Sequence, residues 1–188
     1  MAPSPDLAPA PDVRHLACIG LMGAGKSTVG RIVADELGWG FVDVDELIED
    51  STGCTVAELW EHGGEDAYRP LEHEIVVDTL GAMHHSVLAT PGGVVLDREA
   101  VNAISSNDVV AVYLRAGPDE LATRITHDHG HPRPLVDDHP CEVMRAMFAA
   151  RDSSYLDLAD EVVDVEHLTA DQAANAVLHV LVGSVLRP

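Results

Sequence analysis

Gly20-Leu21-Met22-Gly23-Ala24-Gly25-Lys26-Ser27 carries the spacing G-x-x-x-x-G-K-S/T, with Thr28 directly after it. Glycines at these places let successive backbone N–H groups turn inward around the phosphates of a nucleotide, and a helix opening at the end of the loop adds its partial positive charge. Lys26 would neutralise the γ-phosphate, and the Ser27 hydroxyl would ligate Mg²⁺. Gly23, Ala24, Gly25, Lys26, Ser27 and Thr28 are therefore the expected nucleotide-binding residues.

Two carboxylates follow at a telling distance. Asp43 and Asp45 flank Val44 at the end of an expected strand, where alternation puts both on one side. One can hold a metal-bound water while the other accepts the proton of a substrate hydroxyl; an ordinary solvated acidic turn is the alternative. Met144, Met147, Phe148, Arg151 and Tyr155 recur at helical spacing, which places the Arg151 guanidinium on an inward stripe. A cation there needs an anionic partner, either a protein carboxylate or a ligand. Arg69, early in a helix whose apolar face carries Val76 and Leu80, can point the same way. Two converging arginines would suit the carboxylate of one small molecule. Arg133, between Pro132 and Pro134, sits where a closing loop would carry it to the phosphates, and phosphoryl transfer is catalysed mainly by positioning and charge stabilisation. His127, His129 and His131 alternate in that loop as polar residues or, alternatively, as a chelating set.

These residues need a frame. A short apolar strand, His15 to Ile19, leads into the glycine-rich loop, and Val29, Ile32, Val33 and Leu37 mark a helix that Gly38 stops. A second strand is expected at Phe41 to Val44, and a short helix after Thr55, whose spacing to Glu58 is that of a capping box. Leu71, Ile75, Val76 and Leu80 mark another helix before a strand at Ser86 to Ala89 that ends in Pro91, Gly92 and Gly93. Val109 to Leu114 is a continuous β-branched run, as in a strand buried on both faces. A helix opened by Pro118 gives way to a loop or lid over about 126–140, rich in His, Asp and Pro. Val143, Met144, Met147 and Phe148 mark the next helix, and Val162 to Val165 the last strand. A closing helix follows, with Thr169 and Gln172 at capping-box spacing and Val177, Leu178, Leu181 and Val185 on its apolar face. Alternation of this kind predicts a three-layer α/β/α fold on a mostly parallel five-stranded sheet, with ligands at the carboxyl ends of the strands.

Composition narrows the partners. The 188 residues suit one domain over 13–188, after a Pro- and Ala-rich tail at 1–12 that reads as disordered. Eleven Lys and Arg against 32 Asp and Glu, a net charge of −21, argue against nucleic acid or an anionic membrane as partner. Cys18, Cys54 and Cys141 show neither a disulfide nor a zinc pattern and read as reduced thiols in the cytoplasm. No leader or spanning segment is expected.

Together the residues resemble the shikimate kinase family over essentially the whole chain after the tail. The resemblance rests on the phosphate loop through Thr28, on Phe41-Val42-Asp43-Val44-Asp45-Glu46-Leu47-Ile48-Glu49, on Gly64 to Glu72 with Arg69 inside it, on Arg133-Pro134-Leu135, and on Arg151 with Tyr155. It implies a nucleoside-monophosphate-kinase-like P-loop fold with a mobile lid, ATP as co-substrate, Mg²⁺, shikimate as acceptor and a monomeric protein. It implies Asp43 near magnesium, Asp45 on the acceptor hydroxyls as base, Arg69 and Arg151 on the acceptor carboxylate, and Arg133 on the phosphates. Gly92 and Gly93 stand among the substrate-binding residues, but Pro91 replaces the first of the three glycines usual in the family, removing an N–H. Two other readings stay open at this level: a kinase of another small hydroxylated acid, such as gluconate or a shikimate analogue, and a catalytically silent nucleotide-binding module.

Overall fold

The protein is described by a computed structural model covering residues 13–127 and 139–184. Its order is β1 (His15–Ile19), α1 (Lys26–Leu37), β2 (Gly40–Asp43), α2 (Val44–Thr52), α3 (Val56–Ala82), β3 (Ser86–Ala89), α4 (Arg98–Ile104), β4 (Val109–Arg115), α5 (Pro118–His127), α6 (Pro140–Leu158), β5 (Glu161–Asp164) and α7 (Ala170–Ser184). The five strands form one sheet in the order β2-β3-β1-β4-β5, and every pairing is parallel. β1 runs down the middle and is buried along its whole length, as the apolar run Leu16 to Ile19 leads one to expect, with His15 buried at its start.

Right-handed crossovers decide which face each helix takes. The chain moves from β1 out to the β2 edge through α1, then returns across the sheet through all later connections, so α1 lies on one face and α3 to α6 lie on the other. α7 packs beside α1 and completes the three layers. The core runs through both layers, with Leu16, Ile19, Val112 and Leu114 from the sheet, Val33 from α1, Met144 and Tyr155 from α6, and Val177 from α7 all at 0% exposure.

Local expectations meet the structure unevenly. Gly38 stops α1 in the left-handed region at φ 67°, and both capping boxes form: Thr55 with Glu58, and Thr169 with Gln172. Val44, however, is not a strand residue. Asp43 caps a helix that begins at Val44, with Val44, Leu47 and Ile48 at helical spacing and Val44 and Ile48 buried. The two helices expected between Thr55 and Leu80 are joined as α3, bent at Gly64, whose φ of 60° and ψ of −153° interrupt the helical backbone. At the lid, Thr126 and His127 belong to the last turn of α5 and Pro140 opens α6. His129, His131 and Arg133 lie outside the described residues, as do Val185 and the tail at 1–12.

The end of the sheet opposite the phosphate loop carries a pH-sensitive contact. His15 on β1 is 1% exposed and its Nδ1 lies 2.7 Å from Ser86 Oγ on β3. Burial pulls its pKa below the ordinary 6.5, reinforced by His84, His85 and Arg14 and opposed by Asp108. The folded state therefore binds this proton more weakly than the unfolded chain, so the stabilisation is complete above about pH 6.5 and is lost as pH falls through the lower folded value. Thermal midpoints measured from pH 7.5 down to 5.5 should drop less steeply for His15→Asn than for the parent chain; parallel slopes would assign the acid loss to other groups.

Candidate active site

A cavity of about 950 Å³ opens at the carboxyl ends of β1, β2 and β3, where the strand order reverses and α/β sheets bind ligands. Its floor is the phosphate loop, and Gly23, Gly25, Lys26, Ser27 and Thr28 line it. Gly25 caps α1 at φ 89° and ψ 19°, and Gly23 has φ 80°; both lie in the left-handed region that strains any residue with a Cβ. Lys26 Nζ donates to Leu21 O at 2.9 Å, folding the lysine back over the loop that it closes. Ala24 is almost fully buried beneath this loop.

Asp43 and Asp45 reach the cavity by a route that strand alternation does not describe. Asp43 Oδ1 accepts from the Asp45 N–H at 3.0 Å and the Glu46 N–H at 3.4 Å, which is how it starts α2. Asp45 then stands in the first helical turn, where the positive end of the dipole favours a carboxylate. The Tyr68 hydroxyl of α3 donates to Asp45 Oδ1. Burial pushes the Asp45 carboxyl above its usual range and Asp43 adds to this, while the Tyr68 hydrogen bond and Lys26 oppose it.

The two arginines on which the acceptor reading depends do line one cavity. Arg69 lies beyond the bend in α3. Its Nε and Nη2 donate to Glu65 Oε1 at 2.8 and 2.7 Å, and its Nη1 donates to Glu72 Oε2. Glu72 is 1% exposed. Burial pushes its carboxyl up against the pull of Arg69, and among the described residues its Oε1 has no hydrogen-bond partner. Gly93 lets the guanidinium in, because a Cβ there would overlap Arg69.

Arg151 arrives from the other side. Its Nη1 donates to Gly92 O at 3.0 Å, and the Tyr155 hydroxyl donates to the same carbonyl. The face of α6 that carries them is fastened to β4: Arg115 Nε and Nη2 grip Asp152 at 2.8 and 2.9 Å. Tyr113 OH donates to the same carboxylate at 2.9 Å. These partners, Arg115 first, hold Asp152 below the usual carboxylate range. The Tyr113 and Tyr155 rings stack at 4.9 Å between centroids. Pro91 follows β3, and its carbonyl accepts from Val94 N–H at 3.2 Å, so the residue without an N–H still opens the turn that presents Gly92 and Gly93.

Several residues at this site escape a reading by spacing. Tyr68 and Asp152 act through partners 23 and 37 positions away, whereas Glu72 pairs with Arg69 at the local i, i+3 spacing and only its burial is hidden from the sequence. Arg124 of α5 also lines the cavity, fixed by Glu120 Oε1 at 2.9 Å and Val165 O at 2.7 Å. The clue within reach was that Tyr68 and Glu72 bracket Arg69 in the Gly64–Glu72 segment.

The family model described as Shikimate kinase matches residues 22–182. The chain belongs to the shikimate kinase family. Among curated relatives, the shikimate kinase of Pseudoalteromonas translucida is 36% identical over 168 residues, covering 89% of this chain and 96% of that protein. The shikimate kinase of Cupriavidus pinatubonensis is 38% identical over 164 residues, covering 87% of this chain and 84% of that protein. Among solved structures, shikimate kinase from Acinetobacter baumannii in complex with shikimate superposes with a TM-score of 0.86 at 28% identity, covering 93% of this chain and 96% of that one. A gluconokinase from Sinorhizobium meliloti, at 19% identity and a TM-score of 0.54 over 92% of this chain and 95% of that one, shares the fold. The members named are kinases, and this chain is a P-loop kinase of that family.

The close fit of Arg69 against Gly93 can be tested directly. Gly93 has φ −101° and ψ −3°, which alanine adopts freely, so Gly93→Ala keeps the backbone and displaces only the guanidinium. Its KM for a carboxylate acceptor should rise about tenfold or more, roughly 1.4 kcal/mol of lost binding, with the KM for ATP unchanged. An unaltered acceptor KM would show that Arg69 can shift without consequence.

Proposed function

We propose that the protein transfers the γ-phosphoryl group of ATP to a hydroxyl of shikimate, giving shikimate 3-phosphate for aromatic amino acid biosynthesis. The observation that carries this reading is a single cavity lined together by the phosphate loop, by Asp45 and by Arg69 and Arg151. A nucleotide with a small hydroxylated carboxylate suits that set: the loop amides and Lys26 take the phosphates, and the arginines take the carboxylate. The shikimate kinase from Acinetobacter baumannii, solved in complex with shikimate, supports the choice of acid.

In this mechanism Arg69 and Arg151 fix the acceptor by its carboxylate, so that one hydroxyl faces the γ-phosphorus. Asp45 accepts the hydroxyl proton as the new O–P bond forms and the bond to the bridging oxygen breaks, releasing ADP. Lys26 meets charge on the phosphoryl oxygens, and Arg133, in the lid, supplies a second cation there. Ser27 and Asp43 are the residues that would hold Mg²⁺, which neutralises phosphate charge when bound. Among the described residues no group of three or more His, Cys, Asp and Glu could bind a metal. A magnesium ion carried with ATP needs no such group, because it keeps several waters and takes only one or two protein oxygens beside the phosphates. The reading places the enzyme in the cytoplasm as a monomer working on ATP and shikimate. No described helix is long and apolar enough to cross a membrane.

ADP release with Mg·ATP and separate additions of shikimate, 3-dehydroshikimate, quinate and gluconate tests the proposal, with Lys26→Ala as the blank. Strong preference for shikimate is expected; turnover of a different acid alone would replace the acceptor, and silence with all would remove the activity. Asp45→Asn should bind ATP normally while kcat falls at least about 100-fold, as for loss of a general base. Arg151→Ala should weaken acceptor binding, and unchanged affinity would make that arginine structural. Pro91→Gly should leave shikimate as the preferred acid; loss of preference would make the proline a determinant of specificity.

A further inference from the structure

Tyr68 is a buried polar member of this site that the phosphoryl-transfer scheme does not use. It is 3% exposed, it lines the cavity, and its hydroxyl donates to Asp45 Oδ1. Its ring lies 5.5 Å from that of Trp60 at 35°, so packing holds the phenol in place independently of the hydrogen bond. The carboxylate that it grips has other charged neighbours: Asp43 at the end of β2, Lys26 on α1 and Glu49 on α2, and Glu72 on α3. Repulsion from Asp43, Glu49 and Glu72 and attraction to Lys26 would pull an unrestrained Asp45 side chain out of the orientation in which Tyr68 holds it. The phenol is the neutral donor that opposes this.

Resting on the reading of Asp45 as the group that takes the acceptor proton, we propose that Tyr68 is the positioning residue of that group. Its hydroxyl holds Oδ1 so that Oδ2 meets the acceptor. Position in the chain adds a second element. Tyr68 and Arg69 are consecutive residues of α3 after the Gly64 bend, and the Arg69 guanidinium carbon lies 5.7 Å from the centroids of both the Tyr68 and Trp60 rings. The residue that docks the acceptor carboxylate and the residue that aims the proton acceptor thus share one helical turn. When an acceptor carboxylate settles on Arg69, the turn it settles on also sets Asp45.

Tyr68→Phe removes one hydroxyl and keeps the ring against Trp60. Steady-state kinetics with shikimate should show kcat reduced about 10- to 100-fold, the scale of a misplaced reacting group, with both KM values within about twofold and the thermal midpoint within about 3 °C of the parent. A double-mutant cycle completes the test: in an Asp45→Asn background, single-turnover rates should fall less than about twofold further when Tyr68→Phe is added. Unchanged kcat, an acceptor KM that rises alone, or an equal loss in the Asp45→Asn background would each overturn the proposal, the second by making Tyr68 an acceptor contact. The parent enzyme's turnover of shikimate judges the functional reading separately. If another acid of the panel is the substrate, the same ratios are read with that acid, and if none is, the positioning role falls with the reaction.

Discussion

The parallel pairing of β1 with β3 sets the geometry on which the rest of the site depends. Cys18 lies level with Ala89, and beyond that register the two strands release their chains at the same height, one into the phosphate loop and the other into Thr90, Pro91, Gly92 and Gly93. The join is reinforced by Thr90, whose N–H and hydroxyl both donate to Cys18 O, at 3.2 and 3.0 Å. Cys18 is buried here as a small apolar filler, its thiol pushed up to about 12 by loss of solvent. A slip of one residue would exchange the faces of every side chain in β3 and withdraw the Gly92 carbonyl from Arg151 and Tyr155.

Around that fixed edge, a strongly acidic protein has to present positive charge to anions. It does so by spending part of its acid on its few arginines. Glu65 and Glu72 hold Arg69, Asp152 holds Arg115, and Glu120 holds Arg124. Such pairs contribute little to stability where they are exposed, because water screens them and long side chains lose entropy on forming them. Their effect at the cavity is geometric: a guanidinium already aligned by carboxylates loses less freedom when a ligand arrives. Glu72 is the costly member, since its burial is compensated by Arg69 and, among the described residues, its Oε1 has no hydrogen-bond partner.

The three helices that carry the acceptor side are tied to the sheet by different means. α2 is fixed at its start by the Asp43 cap, α3 enters through the Thr55 capping box and bends at Gly64, and α6 is held along its length by the Arg115–Asp152–Tyr113 contacts and the Tyr113–Tyr155 stack. Asp45, Tyr68 with Arg69, and Arg151 each come from one of these helices. Small changes in how the helices sit would therefore be read out as changes in distance among the side chains that meet in the cavity.

The sequence by itself determined the strand–loop–helix core, the phosphate loop and the layering, because these depend on short-range signals: apolar runs, glycines at positive φ, and caps spaced three residues apart. It also brought Asp43, Asp45, Arg69 and Arg151 forward, since residue type and local periodicity mark each of them. That Asp45 belongs to a helix and not to a strand also has local causes, the Asp43 cap and the recurrence of Val44, Leu47 and Ile48 at helical spacing, which the β-branched end of the preceding strand obscures; which distant partners the side chains meet is left to the tertiary structure. It alone showed that Arg69 passes over Gly93, that Arg151 grips the Gly92 carbonyl and that Tyr68 reaches Asp45. Those contacts join residues 23 to 59 positions apart, and no local pattern encodes which distant partner a side chain will meet once the sheet has closed.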